Sequence, residues 1–151
     1  MKRFVWRLQQ VLDIKAREEQ ARRSELLKLT ERLAETRRRL LDARKILRDI
    51  ILRIARQQRR QRLGEQEFFM KYSAASDEQI RGLMDDVSRL ESQQRLKVAE
   101  LLEVKRFREG LERLRAEAKR QFMAEQERLE QKEMDEGATM TFAREASGVL
   151  G

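Results

Sequence analysis

Leu26, Leu33, Leu40, Leu47 and Ile54 stand on a strict seven-residue repeat. Leu29, Ala43 and Ile50 fill the position three residues on, with Thr36 between them. Side chains spaced alternately by three and four residues fall on one narrow stripe of an α-helix. A stripe that narrow is covered by one partner helix, so the repeat predicts a coiled coil. Composition agrees. The chain has no proline, which breaks helix interiors, and only 6 glycines among 151 residues. Charged residues make up 41% and aromatics 5%, too polar a mixture to fill a globular core but sufficient for a two-helix seam. The 40% of apolar residues are patterned, which argues against a disordered chain.

The repeat extends to both sides. Val5, Leu8 and Leu12 keep its phase upstream, whereas Lys15, Glu19 and Arg22 interrupt it. In the second half Ile80, Leu83, Val87 and Leu90 start a seam that Gln94 and Lys97 interrupt. Leu101, Val104, Leu111, Ala118, Phe122 and Leu129 resume it. Arg108 and Arg115 break the phase there, and Phe107 and Leu114 sit one position off. This reads as a seam that drifts, as a helix of 3.6 residues per turn does against a strict heptad.

Gly64 follows the basic stretch Arg59-Arg60-Gln61-Arg62 and is expected to stop the first helix. Ser76-Asp77-Glu78-Gln79 has capping-box spacing and is expected to start the second. The expected fold is thus all-α: two long helices in an antiparallel coiled-coil hairpin over residues 1–136. The first helix runs about 3–63, the connector about 64–76 and the second helix about 77–136, with 137–151 a disordered tail. Helices of roughly 60 residues would be about 90 Å long. Facing residues 63 and 76 would put Leu33 near Arg106 and Phe4 near Asp135. A swapped dimer would satisfy the same seam.

Several function classes are excluded by composition. Without cysteine or histidine, disulfides, thiolate metal sites and Cys–His or Ser–His catalysis are closed. There is no Gly-rich phosphate loop, and Asp85-Asp86 on so polar a helix reads as solvated surface. No enzyme activity, cofactor or metal is implied. The start, Met1 to Leu8, is basic without an unbroken apolar stretch, which makes a poor secretory signal. No apolar run approaches the roughly 20 residues of a membrane span, so a cytoplasmic protein is expected.

Charge is uneven. Residues 1–63 carry 20 Lys and Arg against 8 Asp and Glu, and residues 64–151 carry 15 against 19. Side by side the halves would complement each other. The runs Arg37-Arg38-Arg39 and Arg53 to Arg62 read first as a solvated face answering the acidic half, then as a surface for a protein partner. Nucleic acid is the weaker alternative, since few aromatics lie nearby to stack on bases. The N-terminal Phe4, Val5, Trp6, Leu8, Val11, Leu12 and Ile14 could form a membrane-surface helix, but the start of the seam is the preferred reading. With Val5 and Leu8 in the seam, Trp6 is left spare as a contact residue. Ile46 and Ile51 widen the stripe beyond what one helix covers. Either Phe68, Phe69 and Tyr72 pack back on them, or they form an exposed docking or oligomerising face.

The opening Phe4-x-Trp6-x-Leu8-x-x-Val11-Leu12 with Glu18-Glu19, two basic-then-acidic helices, and the closing Glu130-Gln131-Lys132-Glu133-Met134-Asp135-Glu136 resemble the FliJ family of flagellar export proteins. The resemblance spans about residues 4–136, and the closing motif is its more specific part. It implies a soluble component of the flagellar type III export apparatus, and so a part in motility and chemotaxis. It implies an antiparallel coil similar to the central stalk of rotary ATPases. The implied partners are the ring of the export ATPase FliI, the cytoplasmic domain of the export-gate protein FlhA, and export chaperones. Peripheral association with the inner membrane would come through that apparatus. The two segments that most resemble the family suggest an ATPase contact through Phe4, Trp6, Leu8, Gln131, Lys132, Met134 and Asp135. By position, Arg39, Ala43, Ile46 and Ile50 would meet the gate, whereas Tyr72 and Ala75 fit the second-helix part of that site poorly. The stalk protein of a virulence type III secretion system is an alternative within the same resemblance.

Overall fold

The computed structural model describes the backbone of residues 2–56 and 59–150, and the side chains of residues 2–56 and 64–148. Two helices make up the fold, α1 (Gln9–Ala55) and α2 (Arg59–Leu150). They pack against each other as an antiparallel hairpin, and no strand occurs among the described residues. The chain divides into two compact units. One pairs Met1–Arg17 with Val104–Gly151, and the other is Glu18–Glu103.

In the unit Glu18–Glu103 the heptad repeat is the packing seam. Leu29, Leu33 and Leu90 form its buried cluster with Val87 packed against it, and Leu33 is only 1% exposed. Leu40 is buried as well, and Leu26, Thr36, Ala43, Leu47, Ile50 and Ile54 are all half-buried. Burying a leucine of this kind contributes about 1.5–3 kcal/mol. Polar groups clasp the seam from the sides. Arg22 pairs with Glu100 at 2.8 Å, Lys97 with Glu25 at 3.1 Å and Arg37 with Glu91 at 2.9 Å, while Gln94 donates to Thr30 Oγ1 at 3.2 Å. Buried Glu19 accepts from Arg23 at 2.7 Å, one turn along its own helix.

These pairs correct the expected register. Leu33 clusters with Leu90 and not with Arg106. The cause is the position of the reversal. Residues 64–76, expected as the connector, lie within α2, and the chain turns between Ala55 and Arg59. Gly64 does not stop a helix: no glycine among the described residues has a positive φ, and a mid-helix glycine costs only about 1 kcal/mol. Ser76 is not a cap but a buried seam residue, in phase with Ile80. Phe69 and Tyr72 are half-buried on the same helix, so no third element forms, and Phe68 is exposed. The expected end of the first helix, residues 57–63, lies outside the described side chains.

In the unit Met1–Arg17 with Val104–Gly151 the second-half heptad does not drift. Val104 and Leu111 are buried, and Arg108, Arg115, Ala118 and Phe122 are all half-buried. Arg108 and Arg115 therefore stay in the seam and keep its phase. Phe107 and Leu114, at 52% and 57% exposed, point outward. On the other strand of the pair, Leu12 is buried and Val5 is 82% exposed, so Val5 is not a seam residue. The helix begins at Gln9 and not near residue 3, and residues 2–6 form no helix. The expected disordered tail is helical as far as Leu150, with Gly137 inside the helix. Thr139 and Thr141 donate back to the carbonyls of Asp135 and Gly137 at 2.8 and 2.9 Å.

Candidate functional site

The unit holding the N-terminus carries an aromatic clip. Phe4 precedes α1 and lays its ring against Phe122 of α2, with centroids 5.4 Å apart and planes inclined at 53°. The Arg115 guanidinium carbon lies 5.6 Å from the Phe4 centroid, close enough for a cation–π contact. Arg115 Nε also donates to Gln9 Oε1 at 2.7 Å, and Gln9 Nε2 donates to Asp13 Oδ1 at 3.0 Å. One arginine thus ties the non-helical N-terminal segment to the first turn of α1. That turn is closed by its backbone: Gln9 N–H donates to the Trp6 carbonyl at 3.1 Å, and Leu12 N–H to the Leu8 carbonyl at 3.0 Å. A second cation, Lys15 Nζ, stands 5.0 Å over the Phe107 ring.

The expected contact residues separate into two groups. Phe4, Trp6 and Leu8 are half-buried in the clip. Trp6 is therefore not the spare side chain; the outward one is Val5. Gln131, Lys132, Met134 and Asp135 lie on a stretch of α2 in which every residue from 131 to 148 is exposed. Met134 is 69% exposed, and Gln131 Nε2 donates to Asp135 Oδ1 at 3.2 Å. Phe4 meets Phe122 and not Asp135, so the register does not bring the two groups together. Between Phe122 and Met134 the helix rises about 18 Å. Phe122, Arg115 and Gln9 are the members of the clip that sequence reasoning did not assign. The heptad placed Phe122 in the seam, but its partner depends on register.

In the other unit, Arg39, Ala43, Ile46 and Ile50 follow three- and four-residue steps along one edge of the seam on α1. Ala43 and Ile50 are half-buried, Ile46 is 50% exposed, and Arg39 pairs with Glu35 at 3.5 Å. The strip runs into a cleft of about 220 Å³ lined by Ile50, Arg53, Ile54, Gly64, Glu65 and Phe68. The electrostatics of this unit are local. Lys97 hydrogen-bonds Glu25 and holds its carboxyl below the ordinary glutamate value, with the Lys97, Arg22 and Lys28 charges acting in the same direction. No helix among the described residues is long and apolar enough to cross a membrane, and no cluster of acids there could hold a metal ion.

Compared with known proteins, residues 3–147 match the family model FliJ, described as Flagellar FliJ protein. No curated protein and no solved structure matches the chain. The match covers both helices, the N-terminal clip and most of the exposed end of α2. The chain belongs to the FliJ family and is a component of the flagellar type III export system.

Proposed function

We propose that the chain acts without catalysis, as a stalk-like coil that binds and regulates the ring of the export ATPase FliI. The observation that carries this reading is the family match over residues 3–147 on a heptad coil whose unit Met1–Arg17 with Val104–Gly151 presents a long exposed stretch of α2. In this reading Phe4, Trp6 and Leu8 hold the N-terminal segment on α2, and Gln131, Lys132, Met134 and Asp135 offer side chains to the ring. The strip Arg39, Ala43, Ile46 and Ile50 meets the cytoplasmic domain of the export gate FlhA, and export chaperones dock transiently on the coil. The protein works in the cytoplasm and reaches the inner membrane through these partners. Helices without proline supply the stiffness a stalk requires.

The test is ATP hydrolysis by the export ATPase from the same cell, with and without this protein, alongside co-sedimentation of the two. Stimulation with stable binding is expected. The fourfold variant Gln131→Ala, Lys132→Ala, Met134→Ala and Asp135→Ala should lower binding while helicity by circular dichroism is unchanged. If the ATPase still bound a chain lacking both end segments, the assignment of the contact would be wrong.

A further inference from the structure

Part of the basic half of the sequence is not neutralised by α2 among the described residues. Between Arg37 and Arg56 the chain has eight Arg and Lys and two acids, Asp42 and Asp49. Arg37 pairs with Glu91 and Arg39 with Glu35. Arg38, Arg44, Lys45, Arg48, Arg53 and Arg56 are exposed, and none of them is in an ion pair among the described residues. Unpaired cations at this density repel one another, so the face gains from an anionic partner.

Large apolar side chains are interleaved with these cations. Leu41, Lys45, Arg48, Leu52 and Arg56 follow three- and four-residue steps along the side of α1 turned away from the seam. Leu41 is 64% exposed and Leu52 49%. Ile46 and Ile51 flank this line on its two sides, and α2 adds Phe68 and Met70, at 67% and 70% exposed. Basic and apolar groups therefore predominate on the open sides of α1 near the reversal, with exposed Asp42 and Asp49 among them, and α2 adds its apolar groups beside exposed Glu67. A partner helix covers one side of such a surface. The interfacial layer of a bilayer can meet all of them, taking apolar groups among the acyl chains and arginine and lysine heads at the phosphates.

We infer that this end of the unit Glu18–Glu103 docks directly on an anionic lipid surface. Its cations meet the headgroups, and Leu52, Ile51, Phe68 and Met70 sink into the boundary below them. Duplex nucleic acid would use the cations but leave the aliphatic side chains without a role. The contact is independent of the proposed partners, because it needs neither the ATPase nor the gate.

The experiment is co-sedimentation of the purified full-length chain with two kinds of vesicle. One is phosphatidylcholine alone; the other mixes phosphatidylcholine with phosphatidylglycerol. Binding to the mixed vesicles only, weakening as salt rises, is expected. Each basic side chain near such a surface contributes about fivefold in affinity, so Lys45→Glu with Arg48→Glu and Arg56→Glu should weaken binding on the order of 100-fold or more. Leu52→Ser with Phe68→Ser should weaken it by about tenfold while leaving the charge unchanged. Arg113→Glu with Lys119→Glu, exposed positions in the other unit, should leave it unaltered, and helicity should be the same for all variants. Failure of the wild type to bind would overturn the proposal. So would equal losses in the control variant, indifference to the Leu52 and Phe68 changes, or tighter capture of polyglutamate or duplex DNA than of the anionic vesicles.

Discussion

The two compact units share one heptad phase and fill it differently. In Glu18–Glu103 the positions hold Leu29, Leu33, Leu40 and Leu90 at 8% exposure or less. In Met1–Arg17 with Val104–Gly151 the same phase holds Arg108 and Arg115 beside Leu12, Val104 and Leu111, and an aromatic clip from outside the helix completes the packing. The first arrangement derives its stability chiefly from the apolar stripe around these leucines, with Glu19 and Ser76 as its buried polar members. The second gives up part of that burial and replaces it with directional contacts, each worth about 1 kcal/mol and each open to competition from a partner. A coil can thus be firm in one unit and adaptable in another without any change of helix phase.

Substitutions can break this contrast. The largest effect is expected at Leu33→Ala, which removes the most buried side chain. It should cost about 2–5 kcal/mol, read as a fall in the urea midpoint followed by circular dichroism. The opposite change, Arg108→Leu, places an apolar group in the polar seam. Its partner Glu112 is 52% exposed and would not be stranded. Stability should rise by about 1–2 kcal/mol, making the second unit resemble the first. No gain would mean that the remaining contacts of Arg108 matter as much as burial would.

Phe4→Ala should cost less, about 1 kcal/mol, because the ring is only half-buried. Its diagnostic is local: amide hydrogen exchange should rise at residues 9–12 and 118–124 and stay unchanged around Leu33 and Leu90. The smallest effect concerns pH. The carboxyl of Glu25 is held below its ordinary value chiefly by the Lys97 hydrogen bond. Its contribution to stability is therefore present above the unfolded-state pKa and is lost as pH falls through the folded value. Thermal unfolding on the acid side should be less pH-dependent in Lys97→Met than in the wild type. The difference should shrink with added salt, because the pair is exposed.

Much of the candidate site was legible as residue types and little of it as geometry. Phe4 stood out near the N-terminus and Phe122 in the second seam, yet nothing local joined them. Trp6 and Val5 exchanged roles because the chain before Gln9 is not helical, and a heptad phase carried into it has no meaning. By polarity alone the arginines at 108 and 115 read as breaks in the pattern. In the structure they occupy it, since a long side chain can lie along the seam with its charged end at the edge.

The sequence by itself determined two long helices and the stripe that each one buries, because helix period and side-chain polarity are local properties. It did not determine the register. Moving one helix past the other by about two heptads returns seam residues to seam positions, so the pattern is nearly indifferent to such a shift. The reversal between Ala55 and Arg59, and long-range matches such as Leu33 with Leu90 and Phe4 with Phe122, select one register. That choice places the exposed stretch of α2 from 131 to 148 beyond the clip and leaves Arg38, Arg44, Lys45, Arg48, Arg53 and Arg56 without an ion pair among the described residues. Both surfaces are consequences of where the chain turns, which depends on contacts between residues far apart in sequence.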